Sequence, residues 1–380
     1  MLNRRQFIAG AVAAAGVRAA SPAPAPPNVL LVAIDDLGAW MTGIHGARNL
    51  RTPNLDTIAR TGTRFVHAFS AAPVPQSGFD TLVTGSSPMQ AASATPLDKV
   101  LAARGYRTAS IVDGDMAAIT TQALSFLDQQ KPGQQFCAVV RYAPLRETGK
   151  TPAKYTQAFA NDAFLEIGWV PAVESATDKK PFAAIVPHLR DAAAAVAAVD
   201  DQLPALRAKL QERGLMDNTL LVIAGTNGVL LGRHGLWGDG RASTPPNMFD
   251  EVVGVPLIWN WPAGVPAGSV RPEVVSLFDV LPTICELTGA TVPRSTGRSL
   301  VHAVLDRKYP KKQPWDDRAY AALEGTMMAR NSRYKLVQRA NGSNELYDLA
   351  SDPGEQRNRV DDSQFLGVRA SLARELSTWK

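Results

Sequence analysis

Cysteine is scarce in this chain. Only Cys137 and Cys285 occur in 380 residues, and each sits inside an apolar segment. Two such thiols exclude a disulfide framework and read as buried and free. Long hydrophobic runs are missing too: the apolar stretch Ile8 to Val17 is too short to cross a bilayer stably. An excess of one charge is also lacking. Arg4, Arg5 and Arg18 account for three of the formal +5, leaving +2 for the rest, which excludes a nucleic-acid binder. No internal repeat is visible.

What is present begins with a processing segment. Asn3-Arg4-Arg5-Gln6-Phe7-Ile8 resembles a twin-arginine export signal, and Val17-Arg18-Ala19 offers a small-residue cleavage site. Residues 1–19 are therefore expected to be a signal peptide, and the Pro/Ala-rich residues 20–27 an extended linker. This route implies folding in the cytoplasm and work in the periplasm or outside the cell.

The organising stretch of the remainder is Asn28-Val-Leu-Leu-Val-Ala-Ile-Asp-Asp36. An apolar run without alternation reads as a strand buried on both faces, as in parallel sheets. Two acids at its carboxyl end sit where open α/β sheets bind ligands; a plain polar loop is the simpler alternative. Thr52 is expected to cap a helix begun by Pro53, and Val74 to Gly85 a loop entering a helix. Apolar strands are expected at Thr108 to Val112, Phe136 to Tyr142, Thr219 to Ala224 and Pro256 to Trp259. A long helix from about Arg190 carries the stripe Val196, Val199, Leu203, Leu206 and Leu210, kinked at Pro204. Residues 145–185 read as a surface excursion. After Arg318 short strands flank Asn341-Gly342, a hairpin signal, and a helix from about Gln364 to Thr378 ends the chain. The fold class is therefore α/β: a mostly parallel central sheet flanked by helices over 28–310, with a small antiparallel α+β subdomain over 311–380.

Five blocks in this order resemble the sulfatases of the alkaline-phosphatase-like superfamily. They are Pro27 to Gly38, Arg51-Thr-Pro-Asn-Leu-Asp56, Leu231-Gly-Arg-His-Gly-Leu-Trp-Gly238, Val255-Pro-Leu-Ile258 and Leu346-Tyr-Asp-Leu-Ala-Ser-Asp-Pro353. The resemblance implies sulfate-ester hydrolysis by a formylglycine nucleophile made from Cys or Ser. A divalent cation, usually calcium, would be held by carboxylates, and basic residues would bind the sulfate. Hard cations call for oxygen ligands, and a transferred anionic group calls for preorganised positive charge.

Carried over residue by residue, the resemblance keeps Asp35 and Asp36 as metal ligands, with Asn227 able to add its carbonyl. The formylglycine position falls on Pro75, so no formylglycine is expected, and the motif arginine falls on Phe79. A lysine and a histidine become Asp113 and Asp115. Another histidine becomes Leu145, the later metal aspartate becomes Thr226, and a lysine becomes Asp239. Asp35, Asp36, Asp113, Asp115 and Asp239 would then crowd the pocket as five acids without a matched base, shifting their pKa values upward or binding metal. Arg233 and His234 read as a solvated loop beside Trp237. Cys137-Ala-Val-Val-Arg141 has the spacing of a formylglycine site but reads as core.

Two functions follow. One is an exported binding or interaction protein that has lost catalysis, with a calcium ion in the pocket, a sulfated or phosphorylated ligand, or a protein partner. The other is an active sulfate or phosphate ester hydrolase using Ser77, with Ser70 and Thr81 as weaker nucleophiles; the plain role for Ser77 is a helix cap. Trp40, Trp237, Trp259 and Trp261 read as packing more readily than as a sugar platform.

Overall fold

A computed structural model of the chain describes residues 26–379, except 132, 148, 165–172, 175–178, 181, 313 and 341–343. The expected signal segment, the expected linker up to residue 25 and the Asn341-Gly342 hairpin signal lie outside the described residues.

The strand β1 (Asn28–Ile34) is buried along its whole length. It runs inside a seven-stranded sheet, parallel to the neighbour on each side, which is why its sequence shows no polar alternation. The other strands of this sheet are β2 (Thr63–Phe69), β3 (Arg107–Ile111), β4 (Phe136–Tyr142), β7 (Thr219–Gly225), β8 (Leu257–Asn260) and β9 (Ser269–Ser276). Between them, β5 (Val173–Glu174) and β6 (Lys179–Lys180) pair only with each other. The order is β3-β4-β1-β7-β8-β2-β9. Only β8 runs against its neighbours, so β1, β2, β3, β4 and β7 all deliver their carboxyl ends to one edge.

Alternate residues of β1 enter two separate cores. Leu30, Val32 and Ile34 pack on one face, and Val29, Leu31 and Ala33 on the other. The helices that cover these faces include α1 (Pro53–Arg60), α2 (Pro75–Thr84), α3 (Leu97–Ala103), α4 (Met116–Asp128), α5 (Ala153–Ala158), α6 (Phe182–Asp200), α7 (Leu203–Glu212) and α8 (Asp250–Val253). Cys137 and Cys285 are buried and free, and Trp259 and Trp261 are core residues. Among the described residues no helix is long and apolar enough to cross a membrane.

Three local expectations are revised. The stripe from Val196 to Leu210 is carried by two helices: α6 ends at Asp200, and Pro204 lies in the first turn of α7. Proline lacks the N–H a helix interior needs, so it starts a new helix here instead of bending the old one. Thr52 stands at the N-cap position of α1 without capping it; its hydroxyl takes the Gly43 N–H at 3.0 Å and donates to Asp56 Oδ1 at 3.0 Å. The cap comes from the last residue of α6, since Asp200 accepts the backbone N–H groups of Asn54 at 2.9 Å and Leu55 at 2.8 Å. Part of the excursion over 145–185 is also core, because Phe159 and Phe164 are buried.

The small antiparallel sheet is formed by β10 (Ala319–Leu323), β11 (Thr326–Arg330), β12 (Tyr334–Arg339) and β13 (Glu345–Asp348), in that order. The helix Leu366–Thr378 covers it through buried Leu372 and Leu376. A fully buried lysine ties this sheet to α8: Lys335 Nζ lies 2.8 Å from Asp250 Oδ1 and 2.7 Å from Glu355 Oε1.

The Asp200 cap has a pH signature. Burial raises its pKa from 3.8 to about 6, and the N–H donors only partly oppose this. Between these values the folded protein keeps a proton that the unfolded chain has released, so the Asp200 contribution to stability falls as pH rises through the window and is level above it. Urea denaturation across this range should show the advantage of wild type over Asp200→Asn shrinking with rising pH, by up to roughly 3 kcal/mol.

Candidate functional site

At the carboxyl edge of the sheet, β1, β4 and β7 lie side by side. The Asp35 N–H donates to Tyr142 O at 2.8 Å, and the Thr226 N–H donates to Ile34 O at 2.9 Å. These bonds extend the ladder past the strand ends and hold Asp35, Arg141 and Thr226 together. Arg141 occupies the β4 position opposite Ala33. Its alternation with Cys137 and Val139 puts it on the β1 face that carries Val29, Leu31 and Ala33. Asp35, two residues past Ala33, continues that face.

The result is a buried ion pair. Arg141 Nε donates to Asp35 Oδ1 at 3.0 Å, with Arg141 8% and Asp35 0% exposed. The Thr226 hydroxyl donates to the same oxygen at 2.9 Å. Arg141 Nη1 donates to Gln76 Oε1 at 2.8 Å, and the guanidinium lies 4.4 Å from the Phe79 ring centroid, a cation–π distance. Its Nη2 is buried with no hydrogen-bond partner among the described residues.

Asp36 sits in the left-handed region at φ 58, which a non-glycine residue adopts at a cost. Asn227, fully buried, braces it. The Asn227 Oδ1 accepts the Asp36 N–H at 3.1 Å and the Thr226 hydroxyl at 3.0 Å, while its Nδ2 donates to Asp36 Oδ1 at 2.9 Å.

Helix α2 arrives at this edge from β2. Pro75 is its first residue, with Val74 at the N-cap making no side-chain bond. Gly78 lets the helix approach β7, since a Cβ there would stand 2.1 Å from Thr226 O. Ser77 is the third residue of α2 and half-buried; it is not the cap. The two weaker nucleophile positions are occupied otherwise. Ser70 donates to Ala72 O at 2.7 Å and Thr81 to Gly78 O at 2.9 Å, both buried.

A cavity of about 320 Å³ opens beside the ion pair, lined by Asp35, Asp113, Asp115, Arg141 and Lys150 among others. Three carboxylates therefore face two cations, and the expected cluster of five unmatched acids does not form. Asp36 and Asp239 are outside this lining. Asp239 caps the turn Gly240–Ala242 through the Arg241 N–H; burial raises its pKa, partly offset by that N–H. Asp115 caps α4, accepting the Ala118 N–H at 2.8 Å. Leu145 packs against the core.

The loop with Arg233 and His234 also differs from expectation. His234 stacks on Phe249 with ring centroids 3.7 Å apart, and its Nε2 lies 3.0 Å from Glu251 Oε2. Arg233 covers the Trp40 ring at 4.3 Å. Both are anchored side chains, not a solvated loop.

The family comparison decides what this edge is. The model of the sulfatase family matches residues 27–188 and 113–290, and that of the N-sulphoglucosamine sulphohydrolase C-terminal region matches 232–380. The chain belongs to the sulfatase family. It is 29% identical over 196 residues to an N-acetylglucosamine-6-O-sulfatase of Bacteroides thetaiotaomicron, a match covering 49% of this chain and only 34% of that protein. It is 25% identical to bovine (Bos taurus) arylsulfatase A, covering 95% and 88% of the two chains. The solved structure of the phosphonate monoester hydrolase of Agrobacterium radiobacter shares the fold, with a TM-score of 0.73, 19% identity and coverage of 93% and 95%.

Sulfatases generally use a divalent cation. The structure brings the three expected ligands together, but their arrangement does not fit such an ion. Asp35 Oδ1 already takes the Arg141 Nε–H, Asn227 Oδ1 takes the Asp36 N–H, the one Thr226 hydroxyl proton is shared between these two oxygens, and Asp36 Oδ1 takes the Asn227 amide. A +2 ion on Asp35 would also sit roughly 5 Å from the guanidinium, whose repulsion offsets part of the attraction of the carboxylates. No group of three or more His, Cys, Asp or Glu side chains placed to hold a metal ion forms among the described residues.

Sequence reasoning missed Arg141, which is central to the site. The available signal was an arginine ending a buried strand, since a buried guanidinium requires a carboxylate. Asp35→Ala should cost about 3–5 kcal/mol in urea unfolding because it strands that guanidinium. The double variant Asp35→Ala/Arg141→Met should recover a measurable part of the loss.

Proposed function

We propose that this sulfatase-family chain is an exported binding protein that no longer hydrolyses esters. The observation that carries the reading is Pro75, which begins α2 where the family resemblance puts the nucleophile. A proline side chain has no group to attack sulfur or phosphorus and cannot become formylglycine. Export rests on the twin-arginine-like segment at residues 1–19.

The cavity supports binding of a small polar molecule. Arg141 Nη2 is a buried donor without a protein partner among the described residues, suited to one acidic group such as a sulfate or phosphate. The exposed Asp113 carboxylate at the rim suits hydroxyl groups. The proteins named above are an N-acetylglucosamine-6-O-sulfatase, an arylsulfatase and a phosphonate monoester hydrolase, so a sulfated or phosphorylated saccharide is the ligand class to try first. The alternative, hydrolysis by Ser77, is weaker because Ser77 is not among the residues lining the cavity.

The test is turnover of aryl sulfate, phosphate monoester and phosphate diester substrates with calcium, manganese or zinc present. No turnover above the protein-free rate is expected. Turnover that Ser77→Ala abolishes would overturn the proposal.

A further inference from the structure

We propose that Arg141 is the resident cation of this pocket: its guanidinium performs for Asp35 the charge compensation that a divalent ion supplies in metal-dependent sulfatases, so the protein folds and keeps its site without metal. The inference goes beyond the proposed function and is independent of it, because an active ester hydrolase here would leave it standing.

Four observations converge. A fully buried carboxylate at the end of β1 requires positive charge nearby, and Arg141 Nε meets Asp35 at 3.0 Å. The guanidinium is fixed in more than one direction, by Gln76 at 2.8 Å along Nη1 and by the Phe79 face at 4.4 Å. Both partners come from the first turns of α2, the helix that carries Pro75. Phe79 stands where the family resemblance expects the motif arginine, so the charge absent from α2 is supplied from β4 and lies against the ring that replaced it.

The remaining expected ligands are committed to other work. Asn227 uses its oxygen and its amide to hold Asp36 at a positive φ. Thr226 donates to Asp35 and Asn227 oxygens, and a hydroxyl that donates to these acceptors competes with an ion for them. The site is thus a corner in which Asp35 Oδ1, Asp36 Oδ1 and Asn227 Oδ1 each already have a protein donor.

The experiment is calcium, magnesium and manganese titration calorimetry on the chelator-stripped full chain, with thermal melts in chelator and in excess calcium. Wild type should give no saturable heat and the same melting temperature in both conditions. Arg141→Ala removes the internal cation and should gain calcium binding together with a melting temperature that rises with calcium. Arg141→Lys keeps a positive charge and should stay calcium-insensitive. If Arg141→Ala cannot be purified, the wild-type and Arg141→Lys measurements still decide. The proposal is overturned by stoichiometric calcium binding in wild type that Asp35→Asn removes, by a wild-type melting temperature that drops in chelator, or by a folded Arg141→Ala that ignores calcium.

Discussion

The Asp35–Arg141 ion pair is the constraint around which the carboxyl edge of the central sheet is arranged. A carboxylate and a guanidinium taken fully out of water need each other and need further hydrogen bonds to satisfy their remaining atoms. Thr226 and Gln76 provide two of those bonds, and through them the pair joins β1, β4, the end of β7 and the first turn of α2. Gly78 completes the junction by letting α2 close onto Thr226 without a side chain between them. The same edge that presents ligands in open α/β sheets is therefore held together by its own charges.

This arrangement changes the electrostatic character of the pocket. Five aspartates counted along the sequence imply a strongly acidic cavity, but the tertiary structure scatters them. Asp239 and Asp115 each cap a short turn or helix, and Asp36 is braced by Asn227. The cavity keeps Asp35, Asp113 and Asp115 against Arg141 and Lys150.

Much of the fold was legible in the sequence. Unalternating apolar runs marked β1, β4 and β7, because a strand covered on both faces has no polar side to show. Gly85 and Gly289 close helices in left-handed conformations. What misled were residues whose partner is remote in sequence. Thr52 looks like a cap, yet the cap is Asp200, 145 residues from its bonded Leu55. Arg233 and His234 look solvated, yet Glu251, Phe249 and Trp40 anchor them.

The sequence by itself determined the family and the buried strands, since each of these is written in contiguous residues. Only the tertiary structure decided the charge state of the site. Asp35 and Arg141 are 106 residues apart, and their meeting depends on β4 pairing with β1 in one register. A shift of one residue would turn Arg141 to the opposite face of the sheet, away from Asp35, because successive side chains of a strand point to opposite sides.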